Sequence, residues 1–162
     1  MGIIHVRIDD RLIHGQVASF WCNSLGANRI MVANDKVAND PMQKSVLRMV
    51  APAGVATSII TKEVAARNIQ AGKYDTEKVF LILKSPKDAL DLIELGVCIK
   101  SINVGNMAHN DNTLQIKRSI NVTEEDIENF KKLDSMGVEL TSIMVPDESR
   151  SNLMDFIKKA GK

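Results

Sequence analysis

The stretch Ile3-Ile4-His5-Val6-Arg7-Ile8-Asp9-Asp10-Arg11-Leu12-Ile13-His14-Gly15-Gln16-Val17 decides the fold. Its first six residues are strand-like, and Ile13, Val17, Phe20 and Trp21 then recur at helical spacing,. Between the two lies a turn rich in charge, at the exit of the first strand. Outward from here the same alternation repeats. Arg29–Asn34 reads as a second strand, and Pro41–Val50 as a helix stopped by Pro52 and Gly54,. Val55–Ile60 is a third strand. Thr61 caps a helix that runs to about Ala71 and ends at Gly72,. Lys78–Leu83 is an almost wholly apolar strand, followed by a helix with Ser85 as cap, Pro86 at its first position and Leu95 at its end,. Ser101–Val104 is a fifth strand, Thr123-Glu124-Glu125-Asp126 opens a helix with a capping-box pattern, Val138–Val145 is a sixth strand, and Ser149 or Ser151 starts a last helix toward Lys159,. Regular β–α alternation predicts one α/β domain over 1–162: a doubly wound, mostly parallel open sheet of about six or seven strands with helices on both faces. The first strand carries an exception, because His5, Arg7 and Asp9 alternate with Ile4, Val6 and Ile8. A strand covered on both sides would be apolar throughout, so either one face is partly open or these polar groups line a site.

In an open parallel sheet, ligands and chemistry collect at the carboxyl ends of the strands. His14 stands there near a helix start, whose free N–H groups favour anions. Arg11, three residues before it, can fork onto two phosphate oxygens. Gly15 leaves room for a bulky partner, and Gln16 adds an amide. Asp9 and Asp10 read either as turn residues or, one of them, as the acceptor that fixes the His14 tautomer. Ser85 reads as an N-cap and as a hydroxyl able to reach an anion. Arg7 reads as a phosphate contact or as half of an ordinary ion pair. His5 reads as structural and His109 as a surface residue. Leu12 and Ile13 read as core under the helix or as an exposed docking surface.

Composition narrows the classes. Lys and Arg number 21 and Asp and Glu 20, so nothing electrostatic favours nucleic acid,. Aromatic residues are few for base stacking,. Cys22 and Cys98 form no CxxC pair and read as small apolar core residues in a reducing compartment,. No metal-ligand spacing and no nucleotide-binding glycine motif is present, and neither metal nor cofactor is expected,. No signal-peptide layout opens the chain, and no apolar run approaches the ~20 residues that cross a bilayer, so a cytoplasmic location is expected,.

Arg7–Val17, RIDDRLIHGQV, closely resembles the active-site loop of the IIB subunits of the mannose/fructose/sorbose family of the bacterial phosphotransferase system. Val50–Val55, Ser101–Gly105, Asp126–Leu133 and Gly137–Leu140 are similar to further segments of that family, so the resemblance spans nearly the whole chain. It implies a protein-Nπ-phosphohistidine–sugar phosphotransferase component. Such a subunit takes a phosphoryl group from a phosphohistidine of the IIA partner and delivers it to a sugar bound by the membrane subunits IIC and IID, which places it peripherally at the membrane. His14 matches the phosphorylated residue. Cys22 does not match the cysteine of other IIB types, because it falls inside the predicted first helix. Asn106 stands where a second glycine is common in the family, and its tolerance of positive φ would preserve the turn. The sugar is not legible, and a homo-oligomer is allowed. Two rivals remain from the residues alone: a flavodoxin-like nucleotide or flavin module, and a histidine-dependent phosphate-ester hydrolase. A pure interaction protein leaves the Arg11/His14 cluster without a role.

Overall fold

The computed structural model describes residues 2–162. In chain order the elements are β1 (Gly2–Asp9), α1 (Gly15–Leu25), β2 (Arg29–Ala33), α2 (Asp35–Ala38), α3 (Pro41–Met49), β3 (Ala56–Ile60), α4 (Lys62–Gln70), β4 (Lys78–Leu83), α5 (Pro86–Glu94), β5 (Ser101–Asn106), β6 (Leu114–Lys117), β7 (Ile120–Val122), α6 (Glu124–Ser135), β8 (Glu139–Thr141) and α7 (Leu153–Lys159). Six strands form one sheet in the order β3-β2-β4-β1-β5-β8, and every pairing in it is parallel. β6 and β7 form a separate antiparallel hairpin.

Side chains of a strand alternate between faces, and β4 shows both covered. Val79, Leu81 and Leu83 belong to one apolar cluster with residues of α4, α5, α6 and α7. Phe80 and Ile82 belong to a second cluster with Ala18, Trp21 and Cys22 of α1, Val37 of α2 and Leu47 of α3. The expected doubly wound α/β architecture is therefore present. The second cluster takes no residue from β5 or β8. On that face the sheet is half open: a cavity of about 320 Å³ is lined by His5, Ser101, Asn103 and Thr141. This explains the alternation in β1. Val6 and Ile8 face the larger cluster, and His5, Arg7 and Asp9 face the thinner side.

His5 is structural, as expected. Its ring stacks on Trp21 with centroids 4.8 Å apart, and burial together with the Arg7 charge pulls its pKa down to about 4. Other expectations need correction. The sixth sheet strand ends at Thr141, because residues 142–150 leave the sheet as a strap over the end of β1. The last helix is capped by Asn152, which accepts from the Met154 N–H, and not by Ser149 or Ser151. Cys22 is buried, but Cys98 is exposed and is no core residue. Asn106 is the last residue of β5, with no positive φ. Its side chain instead donates a hydrogen bond to Asp10 Oδ1 at 2.9 Å. No helix of the described residues is long and apolar enough to cross a membrane.

Candidate functional site

The chain turns from β1 into α1 through residues 10–14. The Leu12 N–H donates to the Asp9 carbonyl at 2.9 Å, and Leu12 itself sits at φ 62°, the left-handed region. For a non-glycine residue this conformation costs on the order of 1–3 kcal/mol. Burial offsets it: Leu12 and Ile13 are each 2% exposed, packed in the second cluster with Trp21. They are core, so the docking role open to them in sequence does not apply. Driving these two inward turns His14, Gly15 and Gln16 outward, and all three are exposed.

His14 is the N-cap residue of α1, with extended backbone (φ −137°, ψ 98°) and no capping hydrogen bond from its side chain. The other six helices are each capped by a side chain: Asn34, Asp40, Thr61, Ser85, Thr123 and Asn152. The first turn of α1 also lacks any acidic residue. Its leading amides and the positive end of its dipole thus lie beside an exposed imidazole with no anion of their own.

Asp9 organises the cations. Its Oδ1 accepts from Arg11 Nε at 3.0 Å and from the Arg11 backbone N–H at 3.1 Å, and its Oδ2 accepts from Arg11 Nη2 at 2.8 Å. From beneath, Arg7 Nη2 donates to the same Oδ2 at 3.2 Å. The side chains of Arg7 and Asp9 are 1% exposed, while that of Arg11 is 30% exposed. Hydrogen bonding to Asp9 pushes the Arg11 guanidinium above its ordinary pKa; burial draws that of Arg7 below it, and Asp9 opposes the fall. Two guanidiniums on one carboxylate leave a net positive cluster at the base of the turn that leads to His14.

Of the two readings open to Arg7, phosphate contact or half of an ordinary ion pair, the structure shows the ion pair, buried with Asp9 under the loop. Arg7 Nη1 donates to the Ile143 carbonyl at 3.1 Å, and its Nη2 lies 3.5 Å from Met144 Sδ. It occupies the space above Gly105, where any Cβ would overlap the guanidinium. Asp10 turns away from His14. It accepts from Asn106 Nδ2 at 2.9 Å and from the Ala108 N–H at 2.6 Å, and neither aspartate hydrogen-bonds the imidazole. Ser85 caps α5, accepting from the Asp88 N–H at 3.4 Å, and lines a cavity with Asp10. The structure thus gathers Arg11, His14, Gly15 and Gln16 in one turn, sets Arg7 behind it, and puts Asp10 and Ser85 in an adjoining hollow. His109 is exposed, with Nδ1 3.3 Å from Thr113 Oγ1.

Sequence reasoning missed the strap that backs the site. Asn103 holds Ile143 at both ends, donating to its carbonyl at 3.0 Å and accepting from its N–H at 2.9 Å. Trp21 Nε1 donates to the Met144 carbonyl at 3.0 Å, and Met144 Sδ lies 3.6 Å from Arg11 Nη2. The polar Asn103 inside an apolar strand was the one available signal.

Comparison with known proteins identifies the family. A family model described as PTS system sorbose subfamily IIB component matches residues 3–162. The chain is 42% identical over 156 residues to a mannose-specific EIIAB component of Escherichia coli K12, covering 96% of this chain and 48% of that one. The chain thus spans about half the length of that relative. It is 35% identical to a fructose-specific EIIB component of Bacillus subtilis, covering 100% and 99% of the two chains. Among solved structures, the IIBSor domain of the sorbose permease from Klebsiella pneumoniae superposes with a TM-score of 0.93 at 35% identity, covering 98% of each chain. The matching fold, length and sequence place this chain in the sorbose subfamily of sugar-specific PTS IIB components.

Proposed function

We propose that this chain is a phosphoryl carrier that accepts a phosphoryl group on His14 and passes it to a sugar. The observation that carries the reading is the exposed His14 at the uncapped start of α1, one turn from the Asp9-held guanidinium of Arg11. In the first step the lone pair of an unprotonated His14 ring nitrogen attacks phosphorus on a donor phosphohistidine. The new N–P bond forms as the donor N–P bond breaks, and that electron pair returns to the donor imidazole. The transition state spreads charge over three equatorial oxygens, so positioning and electrostatics dominate. Arg11 neutralises part of that charge, and the amides of Gly15 and Gln16 receive the oxygens. In the second step a sugar hydroxyl oxygen attacks phosphorus, the His14 N–P bond breaks, and the hydroxyl proton leaves to solvent. Both bonds of the first step are phosphoramidates, so that transfer is reversible.

Arg7 positions Asp9, and through it Arg11. Asp10 anchors the loop to Asn106 and Ala108, while Ser85 sits across the hollow from it. The donor in this reading is a IIA domain, which the EIIAB name of the E. coli relative joins to a IIB portion in one chain. The sugar arrives on membrane subunits IIC and IID, with the carrier on their cytoplasmic side. Incubation with radiolabelled phosphoenolpyruvate and the upstream carriers tests the assignment. The expected product is acid-labile, alkali-stable label on the single peptide holding His14; label of the opposite stability, or on another peptide, overturns it.

A further inference from the structure

Asp9 Oδ2 and Met144 Sδ bridge the same two nitrogens. The Nη2 atoms of Arg7 and Arg11 lie 3.2 and 2.8 Å from the carboxylate oxygen, and 3.5 and 3.6 Å from the sulfur. Each Nη2 carries two hydrogens, so one serves the oxygen and the other the thioether, a weak and neutral acceptor. The sulfur contacts are not local: Met144 stands 137 residues after Arg7 and 133 after Arg11. Sδ is placed there because the main chain of Met144 is tied on both sides. Its N–H donates to Glu148 Oε2 at 3.4 Å, and its carbonyl accepts from Trp21 Nε1 at 3.0 Å. The residue before it, Ile143, is held by Asn103 and Arg7.

The donors of Arg11 show what the sulfur does. A guanidinium carries five N–H groups in a rigid fork. Nε uses its one on Asp9 Oδ1, and Nη2 uses its two on Asp9 Oδ2 and Met144 Sδ. Nη1 makes no hydrogen bond to any described residue, and the side chain is partly open to solvent. The two N–H groups of that one nitrogen are what remains for an incoming anion. Asp9 grips the fork along its Nε–Nη2 edge, and the sulfur holds it from the strap. A thioether also suits the charges. Two guanidiniums against one carboxylate leave one positive charge for a phosphoryl group. A second carboxylate at position 144 would cancel it. A hydrocarbon there would leave each Nη2 with a hydrogen lacking an acceptor under the loop.

We propose that Met144 is a positioning residue for phosphoryl transfer: together with Asp9, its thioether locks the Arg11 fork so that Nη1 is left for the phosphoryl group. That role rests on the phosphoryl-carrier reading. Two variants of the intact chain test it. Met144→Leu keeps the bulk and removes the acceptor, and Met144→Gln keeps the length and supplies an amide oxygen. Single-turnover transfer from a phosphorylated IIA donor is followed by rapid quench. Met144→Leu is expected to lower the rate at saturating donor about three- to fivefold, the loss of one weak hydrogen bond, with the donor concentration at half-maximal rate unchanged. Met144→Gln is expected to stay within about twofold of the native rate, because its oxygen accepts in place of sulfur. A side chain that only packs predicts the reverse order, since Leu preserves apolar contact and Gln does not. A native rate in Met144→Leu, or a Met144→Gln rate at or below that of Met144→Leu, overturns the proposal. A second readout needs no donor. Exchange between the Nη1 and Nη2 sites of Arg11, measured by NMR, should quicken severalfold in Met144→Leu and stay near native in Met144→Gln. Equal exchange in all three chains overturns the locking. The two readings fail separately: absence of label on His14 of the native chain removes the carrier role, while the exchange measurement still decides whether Met144 holds Arg11.

Discussion

Asp9 holds two guanidiniums with one carboxylate, and the two contacts have different physical worth. The lower pair, Arg7 with Asp9, is sealed from water, so removing the carboxylate strands a buried charge. Asp9→Ala is expected to destabilise the fold by about 3–5 kcal/mol, read by chemical denaturation. The upper guanidinium is partly solvated, and its loss affects stability by less than about 1 kcal/mol,. Its worth lies in the transition state. Arg11→Ala should slow phosphoryl transfer by about 3 kcal/mol, a hundredfold or more in a rapid-quench experiment with a phosphorylated IIA donor. An unchanged rate would remove Arg11 from the mechanism. Both effects hinge on Leu12, whose strained backbone puts its own side chain inside and the imidazole outside.

At the scale of elements, the site exists because β5 and the strap after β8 close behind β1. Gly105 must be bare, since Arg7 lies where its side chain would be. Gly105→Ala is expected to displace Arg7 and loosen Asp9. The transfer rate should then fall at least tenfold while the far-UV spectrum is retained; an unchanged rate would show that Arg7 does not position Arg11. Much of this was legible in sequence. The alternation of Arg7 and Asp9 with Val6 and Ile8 marked a half-open face, Ser85-Pro86 marked the start of α5, and Thr123 with Asp126 formed the capping box it advertised. What was not legible depends on contacts distant in the chain. Ile143, Met144 and Val145 read as strand because they are apolar, yet Arg7, Asn103 and Trp21 capture the backbone of Ile143 and Met144 and hold the segment off the sheet. The strands of the β6–β7 hairpin are only four and three residues long, too short for their apolar–polar alternation to stand out. The role of Asn106 was misread as a turn conformation because its partner, Asp10, lies 96 residues earlier.

At the scale of the whole molecule, the uneven covering of the sheet has a thermodynamic signature. Folded His5 takes its proton only near pH 4, against an ordinary value of 6.5. Between those values the unfolded chain binds more protons than the folded one. Stability from this residue is therefore full above pH 6.5 and is lost as pH falls toward 4, by up to about 3 kcal/mol. Denaturation midpoints measured against pH should fall more steeply for the native protein than for His5→Phe over that window; parallel curves would contradict the assignment. The same sheet edge brings β1, β4 and β5 together so that one exposed imidazole and one supported cation share the turn after β1, and the functional account depends on that imidazole. The most direct test is a relay assay. Label from phosphoenolpyruvate is followed through the upstream carriers and this chain to a sugar, in membranes holding the partner subunits, with native protein and His14→Ala in parallel. The account predicts sugar phosphate with the native chain and none with the variant. Sugar phosphate formed at the native rate by His14→Ala would contradict it.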